Sequence, residues 1–523
     1  MATSGEEESL KVWETDTFQT TLVLPGNISK PQFSPDGSLL VRGFEAGRLD
    51  VWKIASDEEL QPVVDAQYLF KRGSYLAHHQ HWKRALDDFD RALAIQSKDE
   101  EADYGAITAA QFAMMVGDQE RHRELSNAAI ANFEKNGIGA VQLAARWAGT
   151  VFLIPGVADE NALMRQAAQQ AWDELHNNPT GFSLLYCLLR NEEYEELIER
   201  ADEFGTWSKW GVYHGQKFLF QAIAYYETGR IEEANTALFK GLRALSVTLP
   251  PIGEGRSLRA SNSDWFITSI VIHREACERA LEKLNAAIKS KPDDQALLFA
   301  RATLHRHWQR WPEAATDYGR LLELDKTKIE YIREAAISAL MSRRTMQYQH
   351  LCSEAEKLLE DKENVEHAYQ IGRLCSLYPD SIKNKPFFIE HIESALKSEG
   401  KWHKAVAAVA LLYRLEKYEE AAVIWEVVKN KPKAWQDRCV TRLWHALIQA
   451  RLGNIEEAKK SYRYANERIQ LNHPPPGFMI IGELTSIELT VLSAEARQVM
   501  ESLEGTTESE GRDDKEAKRT PSE

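Results

Sequence analysis

The sequence predicts an all-α superhelical solenoid of helical repeats in two tandem modules, preceded by a short β segment. The first observation is an internal repeat, in which residues about 66 to 280 reappear as residues about 295 to 500. The second is the spacing of apolar residues, which from residue 60 onwards follows the helical steps of three and four. These patterns divide the chain into a β segment at residues 1–58, modules at 60–282 and 283–502, and a tail at 503–523.

The first 55 or so residues follow a different period. Trp13 ends the segment LKVW and Trp52 ends LDVW, 39 residues later, and between them the letters PDG at 35–37 form a turn between apolar strand residues. This pattern resembles the WD40 repeat, whose period is about 40 residues, although Val-Trp-Glu and Val-Trp-Lys replace the usual Trp-Asp pair. A propeller needs about four or more blades, and only one blade and the end of another are present. The resemblance therefore implies a remnant of a longer gene product, with a small sheet packed on the following helices as the alternative.

The register of the internal repeat can be followed residue by residue. In the first part of the repeat the offset is 229, and it relates Trp82, Ala85, Asp88, Phe89, Leu93 and Ile95 to Trp311, Ala314, Asp317, Tyr318, Leu322 and Leu324. Further along the offset is 224, and it relates Pro155, Tyr194 and Gly229 to Pro379, Tyr418 and Gly453. The difference of five residues (229 minus 224) is what two diverged copies with loop changes should show.

Small residues recur where two helices of each copy should meet. The segment YLFKRGSYLAHHQHWKRALDDFDRALAI places Gly73 at the expected helix contact, followed by Leu76, Ala85, Phe89 and Ala92, and the second copy has Ala302, Ala314, Tyr318 and Leu321. Antiparallel helices approach closely where one presents a small residue and the other fills the gap. This pattern resembles the tetratricopeptide (TPR) repeat, and the whole module is similar to the tandem TPR regions appended to bacterial WD40-repeat proteins and serine/threonine kinases. The resemblance implies a scaffold and not a reaction.

Composition and charge limit the compartment and the class of partner. The hydrophobic fraction of 43% describes a soluble globular protein, and no apolar run approaches the roughly 20 residues of a membrane helix. The acidic N-terminus lacks the pattern of a signal peptide, so we expect a cytoplasmic protein without a membrane partner. A net charge of -15 disfavours nucleic acid, which is bound through Lys and Arg. The tail from residue 503 has many charges and no large apolar residue after its start, which predicts disorder.

The search for chemistry predicts no enzyme and no cofactor. The chain has no kinase loop motifs, phosphate-binding loop, dinucleotide fingerprint, HExxH or GxSxG. Its five cysteines are scattered and never form CxxC, which favours reduced structural thiols over disulfides or a zinc site. Three histidines, His78, His79 and His81, could share a metal ion. Polar residues in a turn between two helices are the alternative, and a metal protein or helical-repeat enzyme centred on His78 and His81 is the weakest hypothesis.

The residues expected to bind partners follow from the resemblance to TPR arrays, which bind through the first helix of each hairpin. In that register Lys71, Ser74 and His78 in the first copy, and Thr303, Arg306 and His307 in the second, should point into a groove. Trp207 and Trp210 could form an aromatic platform for a ligand or pack between repeats. We therefore predict a non-catalytic scaffold for protein or peptide partners, of unknown oligomeric state. The alternative is the detached regulatory region of a bacterial serine/threonine kinase or WD40 signalling protein.

Overall fold

The computed structural model describes residues 2–5, 9–13, 20–25, 32–33, 39–43, 49–53, 65–95, 100–136, 141–156, 162–204, 211–248, 263–360, 365–383, 387–388, 402–432, 434–472 and 484–517. Contacts divide the chain into two compact units. The first unit comprises residues 1–167 and 253–267, and the second comprises 168–252 and 268–523. None of the helices in the described ranges is long and apolar enough to cross a membrane.

The first unit begins with two antiparallel three-stranded sheets. One sheet contains β1 (Ala2–Gly5), β2 (Ser9–Trp13) and β3 (Thr20–Pro25), and the other contains β4 (Gln32–Phe33), β5 (Leu39–Gly43) and β6 (Leu49–Lys53). In the second sheet Leu40 pairs with Trp52 across β5 and β6. The predicted turn at Pro35–Gly37 lies outside the described residues. The assignment of this segment to a WD40 blade stays a prediction.

The remainder of the first unit is helical. Its helices are α1 (Ala66–His78), α2 (Trp82–Ile95), α3 (Glu100–Val116), α4 (Gln119–Asn136) and α5 (Val141–Val151). Helix α6 (Ala162–Leu175) crosses from the first unit into the second at residues 167 and 168. Asp65 caps the N-terminus of α1, because its side chain accepts a hydrogen bond of 2.7 Å from the backbone nitrogen of Tyr68. Such N-caps stabilise a helix by about 1 kcal/mol, because they satisfy a backbone donor that has no partner within the helix.

The second unit consists of further helices. They are α7 (Asn178–Arg190), α8 (Tyr194–Phe204), α9 (Gly211–Glu227), α10 (Ile231–Thr248), α11 (Ser263–Ser290), α12 (Gln295–His307), α13 (Trp311–Leu324), α14 (Ile329–Met341), α15 (Thr345–Glu360), α16 (Val365–Cys375), α17 (Trp402–Arg414), α18 (Tyr418–Val428), α19 (Trp435–Arg451), α20 (Ile455–Asn472) and α21 (Leu484–Ala517). The first residues of α11 belong to the other unit. Helix α7 begins with a capping box, in which Asn177 and Thr180 each satisfy a backbone donor of the other.

Helical hairpins are the repeated structural element of both units. Eight pairs of consecutive helices in the described ranges share one kind of turn, which contains a single residue with a left-handed backbone: Gln80, Gly117, Glu192, Gly229, Gln309, Arg343, Glu416 and Gly453. In each turn the nitrogen of the next residue donates to a carbonyl five positions earlier, as from His81 to Leu76. This hydrogen bond marks the Schellman motif, which ends a helix and reverses the chain.

The two copies of the sequence repeat turn at equivalent positions. Five left-handed residues of the first copy have a left-handed counterpart in the second, in the pairs Gln80 and Gln309, Gly117 and Arg343, Gly156 and Asp380, Glu192 and Glu416, and Gly229 and Gly453. The separations are 229, 226, 224, 224 and 224 residues, which follow the sequence register. Backbone geometry therefore supports the internal repeat independently of side-chain identity.

The predicted contact between a small residue and an aromatic ring is present in the first hairpin. A Cβ atom placed on Gly73 of α1 would lie 2.6 Å from the Phe89 ring of α2. Both residues are buried, and the ring occupies the space that a side chain at position 73 would need. The expectation that Gly73 permits the close approach of the two helices is confirmed.

Two predicted boundaries fall inside helices. The boundary between modules at residues 282 and 283 lies within α11, which is continuous from Ser263 to Ser290. The predicted start of the disordered tail at residue 503 lies within α21, which continues to Ala517, and the disorder of the tail stays a prediction. Its Glu, Lys and Ala residues are good helix formers, and extending an existing helix does not require a new nucleus. The division into two tandem modules stays a prediction.

Candidate functional site

An exposed line of residues on α1 is the best candidate for a partner-binding surface. We call Tyr68, Lys71, Ser74, Tyr75 and His78 the α1 stripe. Their spacing of three, three, one and three residues places them along one side of the helix. Tyr68 and Tyr75 are 41% and 37% exposed, Lys71 and Ser74 are exposed, and His78 is half-buried. The predicted site residues of the first copy, Lys71, Ser74 and His78, therefore lie together on the surface.

The opposite side of α1 holds the stripe in place. Leu69, Gly73 and Leu76 are buried there. At the edge of the stripe, Arg72 donates two hydrogen bonds to the Asp88 carboxylate of α2, the one from Nε at 2.6 Å. These hydrogen bonds raise the pKa of Arg72. The Arg72 guanidinium also lies 5.6 Å from the centre of the Tyr68 ring, which restrains that ring by a cation–π contact.

Two neighbouring histidines, His78 and His79, lie at the far end of the stripe. His79 Nδ1 lies 3.0 Å from the carbonyl oxygen of Tyr75, and the Tyr75 and His79 rings are 4.4 Å apart. Burial, followed by the charge of His79, lowers the pKa of His78. His78 is therefore neutral at neutral pH, and Lys71 supplies the positive charge of the stripe.

The same positions in the second copy are buried. At the offset of 229, the α1 stripe corresponds to Leu297, Ala300, Thr303, Leu304 and His307 of α12. All five are between 1% and 8% exposed. Helix α11 lies against this side of α12, since His273 contacts His307 and Asn285 accepts a hydrogen bond of 2.8 Å from Arg301. One copy therefore exposes a helix side that the other copy covers with a helix.

This burial corrects the expectation that Thr303, Arg306 and His307 face an open groove. The Thr303 hydroxyl donates to the carbonyl oxygen of Phe299 at 2.8 Å, and Arg306 forms a buried ion pair with Glu334 of α14. His307 contacts His273. The sequence register placed these residues on the first helix of a hairpin, but it could not show which helices contact them there: α13 through Tyr318, α14 through Glu334 and α11 through His273. Trp207 and Trp210 lie outside the described residues, and their ligand role stays a prediction.

A second candidate site lies between α11 and α12, where His273, Cys277 and His307 converge. Their ligand atoms lie within 4.8 Å of one another, and the three residues are 3%, 0% and 1% exposed. The two histidine Nε2 atoms are 2.9 Å apart, which is hydrogen-bond distance. His78, His79 and His81 form no such group in the part of the chain that the structure describes. Convergence of three ligands therefore occurs at a different place from the one that the sequence suggested.

The surroundings of Cys277 disfavour a role as a free nucleophile. Burial raises the pKa of its thiol well above the usual value, while a hydrogen bond with the Trp308 side chain acts in the opposite direction. The thiol is therefore protonated at neutral pH, whereas a nucleophile needs the thiolate. Sequence reasoning missed this group, although the spacing of His273 and Cys277, four residues apart on one helix, was a signal for it.

Comparisons with known proteins give weak global likenesses. No family model and no curated protein matches the chain. The chain is similar to the solved structure of yeast Tom70, with 14% identity, 87% of this chain and 99% of that chain covered, and a TM-score of 0.26. It is also similar to a tetratricopeptide repeat protein from Parabacteroides merdae, with 15% identity, 59% and 100% covered, and a TM-score of 0.32. It is similar as well to the APC/C hetero-tetramer Cut9–Hcn1, with 12% identity, 84% of this chain and 78% of that chain covered, and a TM-score of 0.26.

These TM-scores are too low to carry an argument about shape or function. The assignment rests on the chain itself, where helical hairpins with the same turn motif recur in both copies of the repeat. Gly73 and Phe89 also pack in the first hairpin as a TPR contact requires. From residue 65 onwards the described chain is an all-α, TPR-like arrangement of helical hairpins.

Proposed function

We propose that the protein is a non-catalytic scaffold that binds a partner segment along the α1 stripe. The observation that carries this proposal is the difference between the two copies. The five stripe positions are exposed or half-buried on α1, and their five counterparts on α12 are buried, with His307 in contact with His273 of α11. In helical-repeat proteins each hairpin covers a side of its neighbour. A side that remains open is a natural position for a partner.

The residues of the stripe indicate the chemistry of that partner. Tyr68 and Tyr75 lie two helical turns apart and offer two aromatic anchors, which are frequent hot spots in protein interfaces. Lys71 lies between them and offers a positive charge to a carboxylate. In the second copy a helix occupies the corresponding side of α12. We therefore propose an amphipathic helical segment with acidic residues as the partner, bound by its apolar side.

The test compares binding by the full chain with and without the stripe. The variant Tyr68→Ser with Tyr75→Ser removes both aromatic anchors, and Val423→Ser with Val427→Ser is the matched control. Val423 and Val427 are 68% and 67% exposed on α18, and they also form an apolar pair spaced four residues apart. Both variants serve as bait in a native-source lysate, and bound proteins are quantified by mass spectrometry.

We expect the tyrosine variant to bind its partner with an affinity at least tenfold lower, because two anchors together contribute about 2 kcal/mol or more to binding. The valine variant should retain it. The variant Lys71→Glu reverses one charge of the stripe. It should weaken capture more at low salt than at high salt, because dissolved ions screen exposed charges. Equal capture by the wild-type chain and the tyrosine variant, with both proteins folded by circular dichroism, would contradict the proposal.

A second candidate function is the detached regulatory region of a bacterial serine/threonine kinase or WD40 signalling protein. Its basis is the 39-residue spacing of Trp13 and Trp52 in the sequence, and the antiparallel pairing of β5 and β6 is compatible with a propeller blade. Sequencing the DNA upstream of the coding region tests this candidate. Further blade repeats or a kinase domain in the same reading frame would favour it, and unrelated sequence would count against it.

A further inference from the structure

The side chains of His273, Cys277 and His307 form a buried group with two nitrogen donors and one sulfur donor. His273 and Cys277 are four residues apart on α11, so they project from the same side of that helix. His307 reaches them from the last turn of α12. We propose that this group binds one thiophilic d10 cation, Zn²⁺ or Cu⁺, and thereby links α11 to α12.

The distances fit a bound ion after a small adjustment. Zinc lies about 2.0–2.1 Å from a histidine nitrogen and about 2.3 Å from a cysteine sulfur. In tetrahedral geometry the donor atoms would then be about 3.3 to 3.6 Å from one another. The two Nε2 atoms are 2.9 Å apart, and all three ligand atoms lie within 4.8 Å of one another. The separations between donor atoms therefore need to change by only about 1 Å to hold an ion.

The donor set selects a particular class of metal ion. Imidazole and thiolate are borderline or soft ligands, which suit zinc and copper, whereas magnesium and calcium require oxygen ligands. No fourth His, Cys, Asp or Glu belongs to the group within the described residues. Zn²⁺ would therefore need water or another group to complete its usual four ligands. Cu⁺ tolerates three.

The net charge of the occupied site predicts which of the two ions binds more tightly. One thiolate with Cu⁺ is neutral, and one thiolate with Zn²⁺ carries a net positive charge. Because all three side chains are almost fully buried, a net charge at this place would be costly. We expect the site to hold Cu⁺ more tightly than Zn²⁺ under reducing conditions.

The link also has a place in the fold. His307 is the counterpart of His78 in the α1 stripe, and it contacts α11 through His273. A metal bound by His307 and by two residues of α11 would hold the covering helix in position. Arg301 and Asn285 join the same two helices further along, with a hydrogen bond of 2.8 Å. The proposed metal therefore reinforces an existing contact between helices.

Metal titration of the full chain tests the proposal. Purified apoprotein is kept under reductant without oxygen and competes for Zn²⁺ or Cu⁺ with a coloured chelator specific for each ion. We expect one equivalent of either ion to transfer to the protein, with the higher affinity for Cu⁺. Thermal unfolding should shift upwards in the presence of the ion, because only the folded chain brings the ligands together. Failure of the wild-type chain to take either ion from its chelator would overturn the proposal.

Variants separate this site from adventitious binding. Cys277→Ser and His307→Gln should each reduce affinity by tenfold or more. The matched controls are Cys439→Ser, which changes another buried cysteine, and His305→Gln, which changes a histidine of α12 outside the group. The controls should bind like the wild type. Wild-type affinity in Cys277→Ser would overturn the proposal.

Cobalt provides a readout that does not depend on the stability of a variant. Co²⁺ bound to a thiolate absorbs in the near ultraviolet through charge transfer from sulfur to metal. We expect one equivalent of Co²⁺ to produce this band in the wild-type chain, and Zn²⁺ to remove it. A chain that binds Co²⁺ without the band would lack the cysteine ligand, which would contradict the proposed donor set.

Discussion

Arg190 on α7 forms a bidentate ion pair with Glu275 on α11, with nitrogen–oxygen distances of 2.7 and 2.8 Å. The Arg190 side chain is only 2% exposed. At the offset of 224, Arg414 is the counterpart of Arg190, and it forms the same bidentate pair with Glu495 on α21, at 2.6 Å for both bonds. Each copy therefore fastens its closing helix to an earlier hairpin by an arginine in the same position.

We expect Glu275→Gln to destabilise the helices that this pair joins. The substitution removes the carboxylate charge that faces a buried guanidinium, and breaking a buried pair costs about 3 to 5 kcal/mol. Hydrogen exchange of peptides from α7 and α11, measured by mass spectrometry, should show that the free energy of local opening is lower by this amount. The control is Arg230→Met, which breaks an exposed pair with Glu195 and should have a much smaller effect, because solvent screens exposed charges. Equal effects of the two substitutions would show that burial does not determine the strength of the Arg190 pair.

A histidine of the first unit should make stability depend on pH. His122 is fully buried, and its Nε2 lies 3.0 Å from the carbonyl oxygen of Thr150, so that nitrogen donates. Burial lowers the pKa of His122 from 6.5 to about 4, although the hydrogen bond to Thr150 acts in the opposite direction. Above pH 6.5 the histidine is neutral in both the folded and the unfolded chain. As the pH falls from 6.5 to about 4, the unfolded chain binds a proton that the folded chain does not, and stability falls.

The loss should approach roughly 3 kcal/mol at the lower end of this window, since one pKa unit corresponds to about 1.4 kcal/mol. Urea unfolding of the wild type and of His122→Gln at a series of pH values gives the measurement. The difference in free energy of unfolding between the two proteins should shrink as the pH falls, because only the wild type pays for keeping this residue neutral. A difference that stays constant with pH would show that His122 titrates equally in both states.

Two glycines should respond to the same substitution in opposite directions. Gly241 on α10 faces Gly215 on α9, and a Cβ atom at position 241 would lie 2.9 Å from the Gly215 carbonyl oxygen. Gly241→Ala should therefore destabilise the chain by about 1 to 3 kcal/mol, despite the better helix propensity of alanine. At Gly319 of α13 no atom lies within 4 Å of an added Cβ. Gly319→Ala should stabilise by up to about 1 kcal/mol, and thermal unfolding of both variants checks the two signs.

Sequence reasoning located the contacts that are local to one hairpin. Gly73 and Phe89 are 16 residues apart, and the pattern of small and large side chains that relates them is visible in both copies of the repeat. The left-handed turns could also have been found, because the offsets align Gly229 with Gly453. Such features depend on a short stretch of chain, so a repeated sequence reports them directly.

Contacts between distant helices were not accessible in the same way. Thr303 and Ser74 occupy the same position in their hairpins, yet only Thr303 is buried, and its hydroxyl lies 3.2 Å from the Tyr318 hydroxyl of α13. The group formed by Cys277 and two histidines depends on where α11 lies, and the sequence shows only that His273 and Cys277 share a side of one helix.

In the turn between α14 and α15, the comparison of the two copies predicts that Arg343→Gly stabilises the chain. Arg343 has a left-handed backbone with φ of 61°, and its counterpart in the first copy is Gly117 with φ of 80°. A residue with a side chain costs about 1 to 2 kcal/mol in this conformation, and glycine costs about 0.5 to 1 kcal/mol through the greater freedom of its unfolded chain. Arg343→Gly should therefore stabilise the chain by about 0.5 to 1 kcal/mol, and Gly117→Ala should destabilise it. The neighbouring Arg344→Gly is the control and should destabilise the chain, because the backbone of Arg344 is not left-handed. Thermal and urea unfolding of the three variants give the sign of each change in stability. If Arg344→Gly also stabilised the chain, backbone strain at residue 343 would not be the cause of the stabilisation by Arg343→Gly.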